Sequence, residues 1–216
     1  MGHSIISQGA SRSFPGGHSL LDAADGSREI LLLLGAEAGA AYEALADKNA
    51  YGLILIELGQ ECLGVHTGEH RGVEGGPVLG FARYRQGQAD PTPLVEIVRQ
   101  PATPDEALAA ACQLFESHGL QAAVCGDFPG RIVDRLVRPY YNAALGRLDA
   151  GLASADDLDL TLRLGLGYPR GPIELLEETG LADHCEVTAG LYRALGDPAY
   201  APARRAQVAL ARRDRG

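Results

Sequence analysis

At 216 residues the chain has room for one large domain or two small ones. Its 46% apolar and 22% charged residues are ordinary globular proportions, and a net charge of −9 argues against a general nucleic-acid partner, which needs a basic face. No stretch approaches the roughly 18 apolar residues of a membrane span, and Met1–Ser13 has neither the basic start nor the apolar centre of a signal peptide, so a soluble, cytoplasmic chain with no membrane partner is expected.

Residues 1–27 are rich in Gly and Ser, with Pro15-Gly16-Gly17 as a breaker, and are expected to be irregular. Glu29–Gly35 (EILLLLG) reads as a buried parallel strand, Glu37–Lys48 as a helix and Leu53–Leu58 (LILIEL) as a second buried strand, together one β-α-β unit. The glycine-rich stretch 59–76 is expected to be loop. His66-Thr67-Gly68-Glu69-His70 matches a zinc-peptidase pattern, but that chemistry needs a helix that Gly64, Gly68 and Gly72 make improbable. Val78–Tyr84 and Leu94–Val98 read as further strands. A helix capped by Thr103 with Pro104 at its first position follows, and then a strand at Leu120–Cys125.

Beyond residue 127 the pattern is helical throughout. Ile132, Val133, Leu136, Val137, Tyr140, Ala144 and Leu148 form one apolar stripe, interrupted by Pro139, which should kink the helix. Ser154–Asp157 resembles a capping box, Pro172 opens another helix, and a last one runs from about 182 to 195. Arg204, Arg205, Arg212, Arg213 and Arg215 make 203–216 a solvated basic tail. The four cysteines at 62, 112, 125 and 185 include no Cys-x-x-Cys pair, so reduced thiols are expected and neither a disulfide nor a metal site. The fold class is therefore α/β plus all-α: a truncated Rossmann-like parallel sheet over 28–126 followed by a helical domain over 127–202.

Gly126–Asn142 (GDFPGRIVDRLVRPYYN), Gly165–Leu181 (GLGYPRGPIELLEETGL) and Leu195–Tyr200 (LGDPAY), with Leu94–Val98 (LVEIV) upstream, resemble in order the signatures of 3-hydroxyacyl-CoA dehydrogenases. That resemblance implies oxidation of a 3-hydroxyacyl-CoA by NAD. A His oriented by a Glu acts as base, a Ser and an Asn hold the substrate oxygen, and the helical domain pairs two subunits. The Glu falls on Glu96. The position of the His falls on Ala82 or Tyr84, according to whether a short insertion follows, and neither is a base near neutral pH. The Asn position holds Asp134, a carboxylate that cannot donate the amide's hydrogen bond. Glu96 and Asp134 are thus the remnants of the family's catalytic set. The glycine-rich dinucleotide loop is broken, with Ala36-Glu37-Ala38-Gly39 after the strand, so no cofactor is expected and NAD binding is discounted. The expected protein is a homodimer of 3-hydroxyacyl-CoA dehydrogenase type that binds an acyl-CoA or a partner in fatty-acid metabolism without NAD-dependent activity. A rearranged active oxidoreductase and a structural subunit of a larger dehydrogenase are the alternatives.

Overall fold

The computed structural model describes residues 1–215 and divides into two compact units, Met1–Arg85 with Pro91–Arg131, and Gln86–Asp90 with Ile132 onward.

The first unit is a six-stranded sheet whose spatial order follows the chain: β1 (His3–Ser7), β2 (Ile30–Leu34), β3 (Leu53–Glu57), β4 (Val78–Arg83), β5 (Leu94–Arg99) and β6 (Gln121–Gly126). Neighbours are parallel except the β4–β5 pair. Every residue of β2 and β3 is buried, because both faces are covered. The alternation of a strand sends Ile30, Leu32 and Leu34 to one core, shared with Phe115 of helix α4 (Asp105–Ser117). Leu31 and Leu33 go to the other, with Ala38, Ala41 and Tyr42 of α2 (Ala38–Glu43). Gly35 closes β2 at φ +101°, where an added Cβ would meet the Gln8 carbonyl oxygen at 2.2 Å; only glycine lets these two turns touch.

Residues 1–27, expected to be irregular, carry β1 and a single helical turn, α1 (Ser19–Asp22). The strand escaped notice because His3, Ser4 and Ser7 break its apolar pattern. Its order comes from pairing along β2, a tertiary contact. Thr103 does not cap α4; its hydroxyl oxygen accepts from Gln100 N at 3.0 Å, and Pro104 occupies the cap position.

The second unit holds α5 (Ile132–Asp149), α6 (Ala155–Leu166), α7 (Pro172–Thr179), α8 (Leu181–Leu195) and α9 (Arg204–Arg213). Helix α5 continues through Pro139, which has no N–H for the Arg135 carbonyl four residues back. The hydroxyl of buried Tyr200 donates to that carbonyl at 2.8 Å and replaces the lost bond. Ser154 Oγ accepts from Asp157 N at 3.1 Å and starts α6. The carboxylate of Asp159 accepts from Ile173 N (2.9 Å) and Glu174 N (2.8 Å) and so starts α7 from a distance. The stretch expected as a solvated basic tail is α9. Ala206 is fully buried, Arg204 and Arg205 reach Asp149 at 2.8 and 2.7 Å, and Arg213 pairs with Glu186. Arginine density hid one apolar face made of Ala206, Leu210 and their neighbours.

Candidate functional site

Glu96 lies in β5, 1% exposed, between two small residues of the adjacent strands: Ala82 opposite it in the antiparallel β4 and Ala123 in the parallel β6. The pairing therefore selects Ala82, rather than Tyr84, as the residue facing Glu96 across the sheet. Ala82 brings only a methyl group to this position, which can neither accept nor donate a proton.

Asp134 lies in the first turn of α5 and receives Arg138 Nε at 2.7 Å, one helical turn on. Arg138 is 1% exposed, so this carboxylate neutralises a buried cation. A guanidinium only donates, so Arg138 Nη1 gives its proton to His184 Nδ1 at 3.2 Å, and His184 must carry its own proton on Nε2. That proton goes to Asn142 Oδ1 at 3.0 Å. Asn142 Nδ2 donates to Thr188 Oγ1 (2.8 Å) and the Ala199 carbonyl (3.1 Å), and the Thr188 hydroxyl donates to the Tyr200 carbonyl at 2.8 Å. Burial first, and then the neighbouring guanidinium, pull the His184 pKa down to about 3, so the ring is neutral. Asp134 thus serves a buried polar chain, and its Arg138 partner was legible as an i, i+4 pair.

The rings of Tyr141 and Tyr168 lie against that of Tyr140, with centroids 5.4 and 6.0 Å away. Burial, followed by the two neighbouring phenols, raises Tyr140 to about 12. Tyr141 packs edge-on against His184 in the helical core.

The carboxyl ends of the strands hold two crevices. Around β5 and β6, about 530 Å³ is lined by Arg99, Gln100, Cys125, Asp127, Phe128 and neighbours. Asp127 there accepts from Leu63 N (2.6 Å) and Gly64 N (2.7 Å), which fixes the single-turn α3 (Gly64–Thr67). Around β1–β3 a second crevice of about 370 Å³ is lined by Arg12, Glu37, Gly39, Glu57, Glu61, His66 and small residues between them. Glu57 ends β3 with its carboxylate buried; it accepts from Ser11 Oγ (3.0 Å), Ser13 N (2.7 Å) and Gly35 N (2.6 Å). His66 Nε2 stands 3.8 Å from Glu61 Oε1. His66 sits in α3, and Gly68 at φ +84° ends that turn before His70, so the two His of the zinc-peptidase pattern do not share a helix. Among the described residues no cluster of three or more His, Cys, Asp or Glu could hold a metal. Nor is any helix long and apolar enough to cross a membrane. Glu57, His66 and His184 were not predicted as functional positions: Glu57 and His184 bond to chain segments at least 22 residues away, and the His66 ring lies against Gly39 of α2, none of which local spacing signals.

Residues 130–214 match the family described as 3-hydroxyacyl-CoA dehydrogenase, C-terminal domain. The chain is 41% identical over 88 residues to the mitochondrial hydroxyacyl-coenzyme A dehydrogenase of Sus scrofa, covering 41% of this chain and 28% of that one. It is 35% identical over 109 residues to the 3-hydroxybutyryl-CoA dehydrogenase of Bradyrhizobium diazoefficiens, covering 50% of this chain and 37% of that one. Its fold is that of the (S)-3-hydroxybutyryl-CoA dehydrogenase PaaH1 from Ralstonia eutropha, with TM-score 0.70, 24% identity, and coverage of 85% of this chain and 65% of the other. The chain thus spans about two thirds of that structure, and its matched stretch well under half of the curated relatives. The expectation of no cofactor, with NAD discounted, is corrected by these findings. The relatives are dehydrogenases by name, and a dehydrogenase needs a hydride acceptor. The fold is shared over most of the chain, and a strand, β1, stands ahead of the glycine-bearing segment Gly9–Gly17.

Proposed function

We propose that the chain is a member of the 3-hydroxyacyl-CoA dehydrogenase family, a reading supported by the match over residues 130–214, and that it binds an acyl-CoA thioester and has lost the family's histidine-based oxidation of it. The observation that carries this reading is the pairing of Ala82 with Glu96: the orienting carboxylate is kept and no base stands opposite. A positioned general base contributes about 10²–10⁴ in rate, so what remains of the site does not sustain turnover at the family's level. Asp134 adds to this, because its carboxylate is committed to Arg138 and presents no amide donor to a substrate oxygen.

The working form in this reading is a homodimer through the helical unit. Leu136 of α5 is 71% exposed, and Leu160, Leu164 and Leu166 of α6 are exposed too, apolar side chains that a two-fold partner would cover. A cytoplasmic placement belongs to the same reading, supported by four cysteines that are all free thiols.

Titration of the purified protein with acetoacetyl-CoA, with and without NADH, tests it by nicotinamide fluorescence and NADH consumption. Saturable binding of the thioester without NADH consumption is the expected result. Steady NADH oxidation would overturn the loss of activity and point to a rearranged oxidoreductase site. Failure to bind the thioester would remove the ligand and turn attention to a dehydrogenase that this chain completes.

A further inference from the structure

Leu20 is fully buried in the core on one face of the sheet, and both of its backbone polar groups are held by histidine rings. Its N–H donates to His18 Nδ1 at 3.1 Å, and its carbonyl accepts from His3 Nε2 at 2.8 Å. The first of these bonds caps the single turn α1, and it exists only while Nδ1 keeps a lone pair. A protonated imidazole has donors at both nitrogens and no acceptor, so it would leave the Leu20 N–H unmet and set one donor against another. The neighbours of His18 oppose that charge. Its ring lies edge-on to Phe14 at 5.2 Å, and the Arg83 guanidinium of β4 already sits 5.1 Å from the centre of the same Phe14 ring. His118, which follows α4, adds to the opposition, and Asp22 of α1 pulls the other way. Burial first, and then Arg83 and His118, hold His18 below the usual histidine value.

We propose that the segment from Gly17 to Ala24 is a pH-sensitive latch over this core, closed by a neutral His18 and loosened when that ring takes a proton. The chain on either side is fitted to such a movement. Gly16 and Gly17 lead in with open space around them, and Gly26 leads out at φ +77°. Beyond the latch, Asp25 N and Gly26 N donate to the His3 carbonyl at 3.0 and 3.2 Å and anchor its far end to β1. Within it, Leu20 and Leu21 pack on the core, so loosening uncovers apolar surface of the sheet unit. The freed ring binds its proton near pH 6.5 and the closed ring only at lower pH. Closure is therefore fully supported above about pH 6.5 and weakens as the pH falls below it. One proton taken up on opening raises the opening equilibrium by at most about tenfold per pH unit. The latch lies wholly in the sheet unit and does not depend on acyl-CoA binding.

The test is amide hydrogen exchange of the full chain by NMR, with each rate corrected for the intrinsic effect of pH. The reporters are the amides of Leu20, Leu21, Asp22 and Ala23, which bond to His18 and Ser19, and the amides of β2 serve as the reference. Between pH 7 and pH 5 the protection of the turn should fall about tenfold while that of β2 stays as it is. In His18→Asn the side-chain oxygen accepts from Leu20 N at any pH, so the turn should keep its protection throughout the range. An equal fall in His18→Asn overturns the proposal, as does a turn in the parent that loses no more protection than β2. A turn already unprotected at pH 7 overturns it too, because the latch would then not be closed. Should His18→Asn fail to fold, the comparison of the turn with β2 in the parent decides alone.

Discussion

The two units bury polar groups in opposite ways. In the sheet unit the two cores on either side of the sheet are built of apolar side chains, from Leu31–Leu34 and Leu53–Ile56 to Phe81 and Phe115, with Glu96 of β5 as a buried carboxylate set within a strand. Several of its buried or half-buried charges and rings, Glu57, Asp127 and His66, are held at the carboxyl ends of the strands. In the helical unit the polar chain Asp134–Arg138–His184–Asn142–Thr188 runs through the core itself, each donor matched to an acceptor. A strand satisfies its backbone through its neighbours and leaves its side chains free to be wholly apolar. A helical unit with a proline in its longest helix, and the short 3-10 turn Pro198–Tyr200 to dock, spends side-chain hydrogen bonds on holding its elements together.

The largest test of this contrast is Asp134→Ala, which strands the Arg138 guanidinium in the core. A broken buried pair costs about 3–5 kcal/mol, so urea unfolding should show the helical unit's transition moved to much lower denaturant. Leu32→Ala should cost a comparable 2–5 kcal/mol in the sheet unit by leaving a cavity. If Asp134→Ala moves the midpoint by less than a surface substitution does, the ion pair is not part of what holds the core.

Tyr200→Phe comes next. It removes the hydroxyl that stands in for the missing Pro139 N–H and leaves the Arg135 carbonyl unmet, at about 1–3 kcal/mol by thermal melting. Pairing it with Pro139→Ala, which restores the N–H, should recover most of the loss; additive losses would show that the two residues do not serve the same carbonyl.

The smallest effect per step is on pH. His184 titrates at about 3 when folded, against about 6.5 in an unfolded chain, so the unfolded state binds the extra proton between those values. The stability from its neutral, bonded ring is complete above about pH 6.5 and falls by about 1.4 kcal/mol per pH unit below that. The difference between the parent and His184→Gln, which can accept from Arg138 and donate to Asn142 at any pH, isolates this slope in urea melts from pH 7 to pH 4. Leu32→Ala should leave the slope as it is. Parallel pH profiles for the parent and His184→Gln would mean that the ring is not buried neutral.

Most of the fold was legible. The runs EILLLLG and LILIEL named the central strands because only a sheet covered on both faces makes a strand apolar without alternation. Glycines 180 and 196, Pro172 and Ser154 marked helix ends through their own backbone geometry. β1 was not legible, since HSIIS on its own has no stronger claim to be a strand than to be loop. Helix α9 was hidden because its sequence is dominated by arginines, and its apolar face matters only once α5 and α8 are beside it.

The sequence by itself determined the alternation of strand and helix, the family resemblance of residues 94–202 and the absence of a base among the residues that could face Glu96, because these depend on local propensity and on residue identity. The tertiary structure alone decided that Ala82 rather than Tyr84 is the facing residue, that Asp134 neutralises a buried arginine, and that His66 and Glu61 meet at a crevice. Strand register and burial set those outcomes: the chain spacing offers Asp134 to Arg138 and Glu61 to His66, but it does not say which strand residues pair or which groups the fold buries.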